Sequence, residues 1–212
     1  MRTIGLVVVF TLLAGPSAAL LPDPESHVHI GHVLDAWPDT PGQMGLLPTA
    51  QAEAAIAMKH IELALAAKDL KDIRRHIGHV MHALDPEVEA NGTGLGYGLF
   101  KATRGVSEQV GLAYESNDAS INVQNHARHV GVSATNVMEW ARAALDLART
   151  VRSAADRGSA KFGGVQIEQL LCQIVEGVDA NGDGTVSWER DEGGLAQAEK
   201  HMTHMAAGEG LI

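Results

Sequence analysis

A pair of histidines three residues apart occurs four times in this chain, and it constrains every segment that carries it. His29–His32 and His76–His79 lie in identical HIGHV pentapeptides, His126–His129 in HARHV and His201–His204 in HMTHM. On an α-helix, side chains at i and i+3 project from neighbouring positions on one face. Each pair therefore predicts a helix that presents two imidazoles side by side. Gly31 and Gly78 sit between the histidines of the first two units, and Ala127 is the small residue of the third. A glycine inside a helix costs about 1 kcal/mol against alanine, so its recurrence at one offset points to close packing or to site geometry. Of the eleven histidines, only His27 and His60 fall outside these units once His82 is grouped with His76 and His79.

The rest of the chain agrees with helices. Aromatic residues make up 4% of the 212 residues, and Ala, Leu, Val and Ile dominate the apolar set, which favours helix–helix packing over a β-sandwich. The expected fold is all-α: a helical bundle over residues 49–157, followed by a helix–loop–helix over 165–206. Within it, helices are expected over 28–36, 50–67 with Thr49 as N-cap, 69–84, 99–114, 119–155, 165–178 and 191–206. Gly131 is a candidate break in the long one and 158–164 a weak joint. The glycine-dense stretch 91–98 reads as a tight loop against the bundle. On the second of the long helices, Leu70, Ile73, Ile77, Val80 and Leu84 form one apolar stripe. His79 and His82 lie off that stripe, so they face either solvent or a second interface.

Residues 1–19 read as a cleaved export signal. Arg2 is followed by an apolar run over 4–14 and small residues over 16–19. The run is short for a membrane span. The expectation is a periplasmic or secreted protein with no stable membrane anchor and a proline-rich segment over 20–48. A formal net charge of −10 and the absence of a basic run argue against a nucleic-acid partner. The single cysteine, Cys172, rules out an intramolecular disulfide, a Cys-rich zinc site and CxxCH haem attachment. It is expected buried in an apolar helix.

Neutral imidazole is a common ligand for Zn, Cu, Ni and Fe, and helical bundles build metal sites by pointing ligands inward from several helices. His29, His32, His76, His79, His126, His129, His201 and His204 are therefore candidate ligands for Cu, Zn or Fe. Met202 and Met205 add thioethers that suit Cu(I), against ordinary core filling. A di-iron carboxylate centre is disfavoured, because such bundles use Glu-x-x-His pairs. The competing interpretation is a structural repeat in which histidines cap or bridge helices. An enzyme would also need an open coordination position and a nearby acid or base. No catalytic residue stands out, so metal binding is favoured over a metalloenzyme or redox protein. A protein partner or homodimer is left open.

Residues 179–190 read DANGDGTVSWER. This segment resembles the EF-hand calcium loop over about residues 165–205. The resemblance implies calcium held by Asp179, Asn181 and Asp183, by the backbone carbonyl of Thr185, and by Ser187 directly or through water, with Gly184 at the sharp turn. Arg190 stands where that family places its last carboxylate. The resemblance then leaves Glu192, or Glu189, to supply the final ligand. A calcium-stabilised structural or interaction protein is the third functional class compatible with the sequence.

Overall fold

The computed structural model describes residues 23–212, so the expected signal segment lies outside the described residues. Among the described residues, seven α-helices follow one another: α1 (Glu25–Leu34), α2 (Leu46–Ala66), α3 (Leu70–Leu84), α4 (Leu99–Glu115), α5 (Ile121–Arg152), α6 (Arg157–Glu176) and α7 (Leu195–Gly208). A single 3-10 turn, Pro41–Gln43, joins α1 to α2. Among the described residues there is no strand, as expected for an all-α chain. The 32-residue α5 is the central element and packs against α3, α4, α6 and α7. α2 packs against α3, α4 and α6, and α1 lies mainly on α4.

One continuous apolar core draws on all seven helices, so the C-terminal helix–loop–helix packs into the same bundle. The apolar stripe of α3 is buried at Ile73, Ile77, Val80 and Leu84. The start of α3 is fixed by Asp69, whose side chain accepts from the Asp72 amide at 2.8 Å.

Several boundaries differ from expectation: α1 begins three residues early, α5 ends three residues early at Arg152 and α7 begins four residues late, at Leu195. α2 begins before Thr49, whose hydroxyl instead donates to the Gly45 carbonyl at 2.8 Å from inside the helix. α5 runs through Gly131 unbroken, because the flanking Val130, Ser133 and Ala134 are all buried against neighbouring helices. The expected joint over 158–164 is helical and belongs to α6, which Asp156 caps by accepting from the Ser159 amide at 3.0 Å. Gly163 and Gly164 there serve close packing rather than flexibility. A Cβ on Gly163 would lie 2.5 Å from Val151 Cγ2, and one on Gly164 would lie 3.0 Å from Leu65 Cδ2. Cys172, expected buried, is exposed, because the inward face of α6 is taken by Ile167, Leu171 and Ile174.

The glycine-dense loop is held by one carboxylate. Glu53 on α2 is fully buried. Its Oε1 accepts from the amides of Tyr97 and Gly98 at 3.1 and 2.9 Å, and its Oε2 accepts from Leu95 at 3.2 Å. Hydrogen bonds to a charged group contribute about 1.5–3 kcal/mol each, and a buried donor left without a partner costs about 1–3 kcal/mol. Glu53→Ala is expected to lower stability by about 3 kcal/mol or more, measured as a drop in the urea midpoint at unchanged slope.

Candidate metal centres

Two histidine pairs each meet a third histidine from a different helix. In the first cluster, α3 presents His76 and His79 toward α2. His60 Nδ1 lies 3.2 Å from His76 Nδ1 and 3.4 Å from His79 Nδ1. The second interface left open by the position of His79 is therefore the α2–α3 contact. In the second cluster, α5 presents His126 and His129 toward α7, and His201 Nδ1 lies 3.0 Å from His126 Nδ1 and 3.4 Å from His129 Nδ1. Among the described residues, these are the two groups of three or more His, Cys, Asp or Glu whose donor atoms all lie within 4.8 Å of one another.

The spacing carries chemical meaning. Imidazole nitrogens bound to zinc at about 2.0–2.1 Å in a tetrahedron stand roughly 3.3–3.4 Å apart. The separations from His60 and from His201 to the two histidines each of them faces, 3.0–3.4 Å, lie at or below that value. Direct hydrogen bonds explain the same contacts only in part. A neutral imidazole carries one ring proton, and in each cluster one nitrogen faces two others. That nitrogen can satisfy only one of its two contacts by hydrogen bonding, and with the ring protons on Nε2 all three Nδ1 lone pairs turn toward a shared point, which a cation would satisfy.

Electrostatics keep these rings neutral. His60 and His201 have pKa values lowered to about 4, chiefly by burial and then by the charge of neighbouring histidines, His79 for His60 and His129 for His201. Burial also lowers His76, His79, His126 and His129 below the ordinary value, with Arg75, His76, His204 and His126 respectively the next cause. Neutral imidazole is the form that ligates metals.

The other candidates are arranged differently. His29 and His32 on α1 both place Nδ1 against Oε1 of Gln109 on α4, at 2.7 and 2.8 Å. These are hydrogen-bond distances, and one carbonyl oxygen has the two lone pairs needed to accept from both rings. This pair is satisfied as it stands and does not join either cluster. His204 lies at the edge of the second cluster, with its ring centroid 5.7 Å from that of His126. His82 is turned away, with Nδ1 2.8 Å from the Glu89 carbonyl. Met202 and Met205 are fully buried in the apolar core, the role of core filling.

His60, Gln109 and Trp188 are the contributors that the repeated motif does not reveal. A signal for His60 exists: it falls one turn beyond Ala57 and Ala54 on the buried face of α2, where an unpaired polar side chain is out of place. Trp188 stacks on His129 with ring centroids 4.0 Å apart and planes 17° from parallel.

The Asp179–Glu192 loop wraps around its own acidic side chains. Asp179 accepts from the amides of Gly182, Asp183 and Gly184 at 2.8, 3.1 and 2.9 Å. Asn181 accepts from the Asp183 amide at 2.9 Å, and Asp183 from the Thr185 amide and hydroxyl at 2.9 and 2.7 Å. Ser187 Oγ accepts from the Glu189 amide. Glu192 is 2% exposed and accepts from the Ser187 amide at 3.0 Å. Arg190 points outward to Glu139 at 3.5 Å. Asn136 on α5 fastens the far end of the loop, donating to the Glu189 and Gly193 carbonyls and accepting from the Asp191 amide.

The chain matches no protein-family model, and comparison with curated proteins and with solved structures finds no match.

Lowered histidine pKa values link stability to pH. The unfolded chain takes up protons on these rings as pH falls through about 6.5, whereas folded His60 and His201 take them up only near 4. Between those values the unfolded state binds more protons, so acid destabilises the fold. Metal-free protein is expected to lose stability progressively from about pH 6.5 toward about 4. Urea titrations across that interval check this, and His60→Gln is expected to flatten the dependence.

Proposed function

We propose that this protein is an exported metal-binding protein. Each three-histidine cluster holds one transition-metal ion (copper, zinc or iron), and the Asp179–Glu192 loop holds calcium. The observation that carries the transition-metal reading is the convergence of three Nδ1 atoms at each cluster, with separations of 3.0–3.4 Å to the central histidine. Three neutral imidazoles are borderline donors suited to Zn, Cu, Ni and Fe rather than to hard cations. The protein's part is to hold the ion by inward-facing ligands from two helices, so holding and transferring metal is the role assigned to it.

The calcium reading is supported by the DxNxDG pattern and by the buried carboxylate of Glu192 beside Ser187. Oxygen donors from Asp179, Asn181, Asp183, the Thr185 carbonyl, Ser187 and Glu192 form the kind of set that calcium takes. Residues 1–19 carry the export assignment. In an extracellular or periplasmic setting, a weak loop with a Kd of about 10⁻⁴–10⁻³ M still fills.

Elemental analysis of protein purified from its native compartment without chelator is the test. Two equivalents of a transition metal are expected, together with one of calcium. His60→Ala and His201→Ala are each expected to lose one transition-metal equivalent and keep the other. Native protein that carries calcium alone and takes up no Cu, Zn or Fe on titration would reduce the clusters to architecture. Calcium removal is expected to cost about 1 kcal/mol of stability relative to millimolar calcium. Asp179→Ala is expected to abolish that difference in a thermal-melt comparison.

A further inference from the structure

We propose that the two centres differ in coordination. The His60/His76/His79 centre keeps its fourth position open to water or a small anion, and the His126/His129/His201 centre closes its fourth position with His204. This inference rests on the metal reading above and assigns each centre its exchangeable ligand.

The difference lies in what stands one turn away from each third histidine. On α7, His204 follows His201 by three residues and projects from the same face. Its ring centroid lies 5.7 Å from His126 and 6.3 Å from His201. The separations within the cluster itself run from 4.6 to 5.9 Å, so His204 stands within that range from His126 and just outside it from His201. It is exposed, which leaves its side chain room to turn. On α2, the residues one turn to either side of His60 are Ile56, Ala57, Leu63 and Ala64, and none of these can ligate.

α3 offers one more imidazole, His82, three residues beyond His79. It is 8% exposed and its Nδ1 is held by the Glu89 carbonyl at 2.8 Å, so it is committed elsewhere. A metal held by three histidines without a fourth protein donor completes its tetrahedron with solvent or a small ligand. Charge of both signs lies near the first centre: Lys59 adjoins His60 in sequence, and Arg75 Nη2 lies 3.3 Å from His76 Nε2. Those cations are shared with Glu62 at 3.6 Å and Asp72 at 3.2 Å.

Trp188 separates the two centres experimentally, because it stacks on His129 and no tryptophan among the described residues stacks on the first cluster. The test loads the mature protein with two equivalents of Co²⁺ and adds azide. Trp188 fluorescence, identified by its loss in Trp188→Phe, is expected to be quenched by the equivalent bound at the second centre. Azide is expected to shift the visible absorption of one cobalt equivalent and to leave that fluorescence unchanged. His60→Ala is expected to abolish the azide response. His204→Ala is expected to bring the second equivalent into it, so that both shift and the Trp188 signal now moves. An azide response from both equivalents of the unaltered protein, or from neither, overturns the proposal. So does a His204→Ala protein that still responds at one equivalent only. A protein that takes up no cobalt at either cluster overturns the metal reading itself, and this inference with it.

Discussion

The close approach of other helices to α5 is the constraint on which the architecture depends. Ala127, Ala134, Ala141 and Ala148 recur every seven residues along it, with Ala144 between, and all are buried. Helices with larger side chains at a contact stand about 8–10 Å apart; alanine lets backbones come nearer and lets four partners surround one rod. The valines at 123, 130, 137 and 151 fill the spaces that remain. His126 and His129 flank Ala127 and Val130, so the packing that brings α7 against α5 also aims the imidazoles of both helices at one another.

Three of the histidine pairs show how one local motif acquires different chemistry from its neighbour. In each, two rings on one helix meet a single side chain from another. Where that side chain is Gln109, its carbonyl oxygen accepts from both rings, and the hydrogen-bonding requirement is closed. Where it is His60 or His201, the partner brings a further ring with one proton and one lone pair, and the requirement stays open. Burial sharpens the contrast by disfavouring the charged form, which leaves these rings as neutral donors in a setting of reduced dielectric.

Much of this was legible in the sequence, for identifiable reasons. Helix type followed from the apolar spacing and from the scarcity of aromatic and β-sheet-forming residues. The end of α3 was marked by Asp85–Pro86, and the glycine-dense loop by its composition. The HxxH spacing located six of the residues that line the centres or stand at their edge. His60 escaped because it is a single histidine with no partner nearby in sequence; what makes it a cluster member is the antiparallel pairing of α2 with α3. Gln109 escaped for the same reason, and it removes His29 and His32 from the cluster pattern. The unbroken courses of α5 and α6 were obscured by Gly131 and Gly163–Gly164. Read locally these are helix breakers, and only tertiary contact shows the close approach that Gly163 and Gly164 permit.

α7 follows the loop from α6 and packs against α5. A docked helix opens locally at a free energy set by the contacts that hold it. Near the end of α7, Asn122 donates to the Met205 carbonyl and to Glu209, and Ser120 donates to Glu209. An ion shared by His126, His129 and His201 would fasten the same helix one turn further in. It would act as a removable staple between α7 and α5, so undocking of α7 and release of the ion would become one event.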